Sequence, residues 1–166
     1  MEAARLEADP SGCIAKQGDF GGKAKVTLNV FVDSSALAKR YIEEKGTDQV
    51  QAILSSASAL AVSVICVSEI VSALCRRRRE RKLSTEEYRN AKASVLSDID
   101  DATVIGITEE VVAQAVALLE KFPLRSADAL HVACAAEWST DLFVSADDRQ
   151  CTAARVHGLR VEAIRT

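Results

Sequence analysis

From residue 26 onward, short apolar runs rich in β-branched residues alternate with longer runs that carry helical periodicity. Strands separated by helices of this length need crossover connections, which place neighbouring strands parallel to one another. The strand runs are apolar almost throughout, as in VTLNVFV at residues 26–32, which is typical of strands covered on both faces. The alternation predicts an α/β fold: a three-layer α/β/α sandwich around a mainly parallel central sheet of four to five strands.

Local signals set the expected element boundaries. Ser84 and Glu87 have the spacing of a capping box, a helix must stop before Pro123, and Gly158 is suited to a helix C-cap. Strands are predicted at residues 26–32, 60–64, 103–107, 142–145 and 159–164. Helices are predicted at residues 34–45, 47–56, 66–82, 84–100, 108–122, 126–138 and 148–157.

Residues 1–25 differ from the rest of the chain. They hold four of its seven glycines, at positions 12, 18, 21 and 22, and show no sustained periodicity. We expect a flexible N-terminal extension, or an artefact of the assigned start site, outside the folded unit.

Composition narrows the class of protein. A net charge of −3 does not by itself predict a nucleic-acid-binding protein. No apolar run approaches the roughly 18 to 20 residues of a membrane span, and the N-terminus lacks the apolar stretch of a signal peptide. We expect a cytoplasmic protein whose cysteines are reduced thiols packed as small hydrophobic side chains, because their number is odd and none form a CxxC pair. The cysteines are Cys13, Cys66, Cys75, Cys134 and Cys151.

Three carboxylates lie at or just after the ends of predicted strands. Asp33 directly follows the first strand, Glu69 comes shortly after the second, and Asp147 follows the run FVSA. Functional groups of open α/β sheets gather at the carboxyl ends of the strands. Ordinary explanations remain open: Asp33 and Asp147 could be N-caps and Glu69 a solvated helix residue. Asp148 competes equally with Asp147.

A fourth acid, Asp128, lies in a helix that is apolar on nearly every face. Between Ala127 and Ala136 only Asp128 and His131 are polar, so a buried carboxylate there is costly unless something compensates it. The alternative to a functional role is structural. An aspartate in the first turn of a helix interacts favourably with the helix dipole, by about 0.3–1 kcal/mol, and Ser126 could cap this helix. His131 is expected to be a packed core histidine rather than a general base.

Convergence of these four acids would be tolerable only if some of them stay protonated or a cation enters. At a separation of about 5 Å, each pair of charges repels by about 3 kcal/mol at an effective dielectric constant of 20. Oxygen donors without a cysteine or a histidine pair suit Mg²⁺ or Mn²⁺. A carboxylate-held metal can polarise a phosphoryl oxygen and lower the pKa of a bound water, which cleaves a phosphodiester without a side-chain nucleophile.

Four short segments follow one another along the chain: VDSSALAKRY at residues 32–41, VSEI at 67–70, LRSADALHVACA at 124–135 and FVSADDR at 143–149. In this order and spacing they resemble the PIN-domain ribonucleases, most closely the VapC-type toxins of bacterial type II toxin–antitoxin pairs. The resemblance implies a PIN-like nuclease domain over residues 26–166 and Mg²⁺- or Mn²⁺-dependent endonucleolytic cleavage of RNA.

The resemblance also implies roles for individual residues. Asp33, Glu69, Asp128 and Asp147 match the acidic positions of the family, with Asp33 and Asp128 as the more direct metal ligands. Glu69 and Asp147 would bind the metal, orient water or act through a neighbouring group.

Two hydroxyls and two partners complete what the resemblance implies. Ser145 matches the hydroxyl position before the last acid, and Ser34 is a weaker supporting candidate. The family further implies a homodimer, inhibited by a small antitoxin whose C-terminal segment covers the acidic groove.

The basic run RRRRERK at residues 76–82 carries a local charge of +5. It is either a track for RNA phosphates or the solvated end of a helix, where cations suit the dipole. Arg76 is the best single candidate for RNA binding because it shares the helix face of Glu69. Arg125 could pair with an acid or a phosphate, or be plain surface charge.

Two other functions remain open from the residues alone. The chain could be a catalytically silent PIN-like module that binds a partner. Less in keeping with the pattern, Asp33 could be the phosphoacceptor of a signalling domain or a phosphatase, although DSS lacks the DxD pattern of such phosphatases.

Overall fold

The computed structural model describes residues 27–165, so the expected N-terminal extension at residues 1–25 lies outside the described residues. The strands are β1 (Asn29–Val32), β2 (Ala59–Ser63), β3 (Thr103–Ile105), β4 (Leu142–Ser145) and β5 (Val161–Ala163). The helices are α1 (Ser34–Leu37), α2 (Thr47–Ser56), α3 (Cys66–Arg79), α4 (Thr85–Asp100), α5 (Glu109–Lys121), α6 (Ser126–Glu137) and α7 (Asp148–Val156). A 3₁₀ turn, Ala38–Arg40, follows α1.

The five strands form one sheet in the order β3-β2-β1-β4-β5, and every pair in it is parallel. The predicted α/β architecture is confirmed. The chain adds β2 and β3 on one side of β1, then crosses back to add β4 and β5 on the other. The strand order therefore reverses between β1 and β4, where open α/β sheets form a crevice at the carboxyl ends of the strands.

Two hydrophobic cores cover the two faces of the sheet. Alternate residues of β1 point to opposite faces, with Val30 and Val32 in one core and Phe31 in the other. The first core packs against α1, α2, α3 and α4, and the second against α5, α6 and α7. Phe31 and Phe143 stack across β1 and β4 with ring centroids 6.0 Å apart. The three layers follow from this two-sided burial.

The predicted helix at 34–45 is wrong in its length. It stops at Leu37 and continues only as the 3₁₀ turn. Thr47 Oγ1 donates to the carbonyl oxygens of Lys39 (2.9 Å) and Glu44 (2.8 Å), and the buried Lys39 Nζ donates to the Lys45 carbonyl (3.1 Å). Thr47 thus occupies the Lys39 carbonyl, which a longer helix would have used, and the chain turns toward α2 instead.

The other boundaries lie within three residues of the predictions; the largest differences are at β1, which begins at Asn29 instead of residue 26, and at α3, which ends at Arg79 instead of residue 82. The capping box of Ser84 and Glu87 is present at the start of α4, and Cys66, Cys134 and Cys151 are buried thiols. Between residues 27 and 165, no helix combines the length and the apolarity needed to cross a membrane.

Two glycines occupy left-handed backbone conformations. Gly46 (φ +97°) precedes α2, and Gly158 (φ +96°) follows α7. A Cβ at Gly46 would lie 2.6 Å from Ile164 Cγ2 and 2.8 Å from the Arg165 carbonyl oxygen. Among the described residues, a Cβ at Gly158 would meet nothing within 4 Å. Only Gly46 is therefore required by packing as well as by backbone conformation.

This difference predicts unequal costs for the two alanine substitutions. Gly158→Ala should lose roughly 1–2 kcal/mol from the left-handed conformation alone. Gly46→Ala should lose about 1–3 kcal/mol more, because its Cβ overlaps Ile164 and Arg165. Urea denaturation of both variants measures the difference, and equal losses would contradict the close packing at Gly46.

Candidate active site

The crevice between β1 and β4 holds a cleft of about 250 Å³. Three of the four predicted acids line it: Asp33 from the end of β1, Glu69 from α3 and Asp128 from α6. Asp147 follows β4 but is not among the lining residues. Acids from three separate elements thus meet at the place where the strand order reverses.

Asp33 is fully buried and caps α1. Its carboxylate accepts hydrogen bonds from Ser35 Oγ (2.8 and 2.9 Å), from the Ala36 backbone N–H (2.9 Å) and from Ser145 Oγ (2.9 Å). Burial nevertheless raises the pKa of Asp33, although His131 and these donors act to lower it. The N-cap explanation is correct locally, but the burial shows that the group is more than a surface cap.

Asp128 is 2% exposed and is held by several donors. Arg125 binds it with two guanidinium nitrogens, Nε (3.0 Å) and Nη2 (3.2 Å), and its backbone N–H donates to Oδ2 (3.2 Å). The expectation that Ser126 caps α6 is wrong. The cap position is Arg125, because the Asp128 side chain reaches back to the Arg125 N–H. Arg125 thus pairs with an acid, one of the roles left open by the sequence.

Glu69 is connected to α6 and α1 by short hydrogen bonds. Its Oε2 accepts from Ser34 Oγ (2.5 Å) and lies 2.6 Å from His131 Nε2, which is also 3.0 Å from Ser34 Oγ. The hydrogen bond with His131 lowers the pKa of Glu69 more than partial burial raises it. Glu69 is therefore a half-buried member of the cleft rather than a solvated helix residue.

His131 is a site residue that sequence reasoning missed. It is buried, as expected for a core histidine, but its Nε2 contacts Glu69 and Ser34 instead of an apolar neighbour. The available signal was its position one helical turn after Asp128, as the only other polar side chain in the apolar stretch of α6.

Asp147 lies at the edge of the cluster and caps α7. Its Oδ1 accepts from the backbone N–H groups of Arg149 (2.8 Å) and Gln150 (3.1 Å), and its own N–H donates to Ser145 Oγ (3.0 Å). Asp128, above all, raises the pKa of Arg125, and Asp147 and Glu69 add to the effect, so their charges face the same guanidinium. Asp148 is exposed in the first turn of α7. The geometry thus favours Asp147 over Asp148 as the fourth acid.

Gln150 is a second residue that sequence reasoning missed. Its buried side chain lines the cleft, and its Nε2 donates to Asp128 Oδ1 (3.3 Å). No motif pointed to it, since a glutamine three residues after an N-cap is an ordinary helix residue.

The arginines of the basic run at residues 76–82 contact different neighbours. Arg76 and Arg77 both line the cleft, and Arg77 also pairs with Glu44 (2.7 Å). Arg78 lies over the ring of Tyr88, 4.6 Å from its centroid. Arg76 has no ion pair within residues 27–165, which leaves it available to an anion at the cleft.

The donor set of the cleft consists of hard oxygens. Within residues 27–165, no group of three or more His, Cys, Asp or Glu side chains is arranged to hold one ion. Mg²⁺ in proteins typically uses one or two carboxylates and keeps several waters, so Asp33 and Asp128 together would suffice. The raised pKa of Asp33 fits this donor set, because a nearby cation would favour its charged form.

A sequence model of the PIN domain matches residues 30–156, most of the chain. The chain belongs to the PIN-domain family. This confirms the resemblance of the four sequence segments. The segments contain the four predicted site acids and lie within the matched residues. A search of curated proteins finds no match.

Solved structures share the fold of this PIN domain. The VapC20 toxin of Mycobacterium tuberculosis, a sarcin–ricin loop cleaving toxin, matches with a TM-score of 0.60 and 18% identity, covering 78% of this chain and 95% of its own. The DNA-bound VapBC complex of Salmonella typhimurium gives 0.59 and 13%, covering 84% and 100%. VapBC2 of Rickettsia felis, bound to a promoter fragment, gives 0.58 and 12%, covering 82% and 98%. At these identities the likeness establishes the shared fold.

The pKa values of Asp33 and Glu69 predict opposite pH dependences of stability. Since burial raises the pKa of Asp33 above 3.8, the folded protein keeps a proton that the unfolded chain releases, and its contribution to stability falls as pH rises. The pKa of Glu69 is lowered below 4.5, so its contribution is present above that pH and is lost on acidification.

The amide variants Asp33→Asn and Glu69→Gln should reveal these two pH dependences of the free energy of unfolding. Relative to wild type, Asp33→Asn should gain free energy of unfolding as pH rises above 3.8. The deficit of Glu69→Gln should instead shrink as pH falls below 4.5. Urea unfolding at a series of pH values measures both differences. Two slopes of the same sign would contradict the assigned environments.

Proposed function

We propose that this PIN domain is a metal-dependent endoribonuclease, acting as the toxin of a type II toxin–antitoxin pair. The observation that carries the proposal is the convergence of Asp33, Glu69 and Asp128 on one cleft, with Asp147 at its edge. All four acids lie within residues 30–156, the segment that the PIN-domain model matches.

The four acids of the proposed site have different roles. Asp33 and Asp128 hold a Mg²⁺ or Mn²⁺ ion, while Glu69 and Asp147 lie beside it to bind the ion or orient its water. The ion, when bound, polarises a phosphoryl oxygen and lowers the pKa of a coordinated water. Ser145 and Ser34 position Asp33 and Glu69 through their hydroxyl hydrogen bonds.

The remaining polar groups of the cleft serve binding and proton handling. The pair formed by Glu69 Oε2 and His131 Nε2 can share a proton at 2.6 Å, which keeps Glu69 oriented toward the cleft. Arg76 and Arg125 bind the RNA backbone, since both lie at the cleft and phosphate contacts supply affinity without sequence choice.

An antitoxin protein is the proposed regulatory partner. Two of the structures that share the fold are VapBC complexes. A larger groove of about 840 Å³, which shares Ile42 and Arg77 with the cleft, offers a surface on which a segment of such a partner would lie. From there the segment would reach the acids. We place the pair in the cytoplasm, where the RNA substrate is made.

A homodimer is also proposed, supported by exposed apolar side chains on one flank of the domain. Val112, Val116 and Leu119 form an exposed stripe along α5. Such a patch is typical of a protein–protein contact.

The structure bears differently on the two alternative functions, the phosphoacceptor protein and the catalytically silent module. A phosphoacceptor aspartate must be accessible, but Asp33 is 0% exposed and accepts hydrogen bonds at both carboxylate oxygens. The catalytically silent module would keep the same site without chemistry, so measurement of cleavage separates it from the nuclease.

Substitution of the acids tests the proposed nuclease directly. Asp33→Asn and Asp128→Asn should each lower the rate of RNA cleavage by roughly 100-fold or more, because even outer partners of a bound metal cost about 10- to 100-fold. Asp148→Asn, at an exposed neighbouring acid, should cleave at the wild-type rate. Cleavage of a structured RNA with Mg²⁺ or Mn²⁺ is measured, EDTA should stop it, and circular dichroism confirms folding.

Wild-type cleavage rates in both Asn variants would refute the site assignment. Absence of both cleavage and metal binding in the wild-type protein would favour the silent module instead.

The salt dependence of RNA binding tests the role of Arg76. In EDTA, where the RNA stays intact, Arg76→Ala should reduce the slope of log affinity against log salt by about 0.7 for a single-stranded RNA. The matched control is Arg79→Ala, which removes an exposed arginine of the same helix turn outside the cleft. Equal slopes for the two variants would mean that Arg76 makes no special phosphate contact.

A further inference from the structure

Gln150 carries an unexplained polar atom at the edge of the acidic cleft. The residue is 3% exposed, and its Nε2 donates to Asp128 Oδ1 at 3.3 Å. Its Oε1 is buried and has no hydrogen-bond partner among residues 27–165. The backbone N–H of Gln150 also donates to Asp147 Oδ1 at 3.1 Å, so the residue lies between two of the four acids.

An orphaned carbonyl at this position is costly. A buried polar group without a partner typically loses about 1–3 kcal/mol relative to a paired one. Exchanging the two ends of the amide would not help, because Oε1 would then face the negatively charged Asp128 carboxylate. An apolar side chain of similar volume would avoid the cost, so packing alone does not account for a glutamine here.

We propose that the side-chain carbonyl of Gln150 is an oxygen donor to the divalent cation held by Asp33 and Asp128, either directly or through a water on that cation. The inference rests on the proposed metal-dependent function and adds a neutral member, contributed by α7, to the carboxylate set. Carbonyl oxygens suit Mg²⁺ and Mn²⁺. A neutral donor also completes the site without further charge repulsion among the acids.

Gln150 has two separable roles in this arrangement. Its N–H group orients Asp128, whereas its carbonyl oxygen faces no partner until a cation or its water enters. Gln150→Met removes both groups and keeps an unbranched side chain of similar length. Gln150→Glu removes the N–H group but retains an oxygen donor.

The experiment is a calorimetric titration of Mn²⁺ into the full chain and its variants. Gln150→Met should weaken Mn²⁺ binding by roughly 10- to 100-fold. Gln150→Glu should bind Mn²⁺ within a few-fold of wild type, or more tightly. Gln114→Met is the matched control: it breaks the same type of bond, Gln114 Nε2 to Glu137 Oε2 (3.1 Å), at the opposite end of α6. It should leave Mn²⁺ binding unchanged.

Thermal unfolding without metal supplies a second readout. Gln150→Met should unfold close to the wild-type temperature, because removal of the orphaned carbonyl offsets loss of the hydrogen bond from Nε2 to Asp128. Its weaker Mn²⁺ binding then cannot come from misfolding. Mn²⁺ should raise the unfolding temperature of the wild type more than that of Gln150→Met.

Three results would overturn the inference. Unchanged Mn²⁺ binding in Gln150→Met refutes it while leaving the proposed nuclease intact, provided that the wild type binds Mn²⁺ and cleaves RNA. Equal weakening in Gln150→Met and Gln150→Glu assigns the effect to the N–H group alone and refutes the carbonyl role. A wild-type protein that binds no Mn²⁺ refutes the proposed function and this inference together.

Discussion

Burial of carboxylates at the junction of β1 and β4 is the constraint on which the rest of the domain depends. Asp33 and Asp128 are both withdrawn from water, which is unfavourable for a charged group unless donors or a cation surround it. Hydroxyl and backbone groups donate hydrogen bonds to Asp33, and amide and guanidinium groups donate to Asp128. The pKa of Asp33 nevertheless remains raised. Added positive charge beside Asp33 would therefore be favourable, which is the physical basis of the proposed metal site.

The topology makes this junction possible. Parallel pairing of β1 with β4 joins segments that are far apart in the chain, and the reversal of strand order leaves the carboxyl edge between them open. Ala129, Ala133 and Ala135 of α6 are fully buried, and such small side chains let the helix lie close to the sheet. The contact of His131 with Glu69 then joins the helix layers on the two faces of the sheet across this edge.

Charge distribution matters more here than net charge. A net charge of −3 does not by itself predict RNA binding, but the arginines of the chain are unevenly distributed. Arg76 lines the acidic cleft and has no ion pair within residues 27–165. By contrast, Arg77 binds Glu44, Arg78 lies over the Tyr88 ring and Arg125 binds Asp128. Local fields of this kind decide where a polyanion docks, and the overall sum of charges does not.

The sequence by itself determined the fold class, most element boundaries and the family, because hydrophobic periodicity and four ordered segments are local properties of the chain. It also singled out Asp128, since a carboxylate in an apolar helix is visible without coordinates. Only the tertiary structure decided that Asp128 is paired with Arg125, that Glu69 binds His131 and that Gln150 leaves a carbonyl unpaired. These contacts arise between residues on different elements, or from the local turn of the backbone at a helix start. Their geometry is set by how the layers pack and is not encoded in any short pattern of residues.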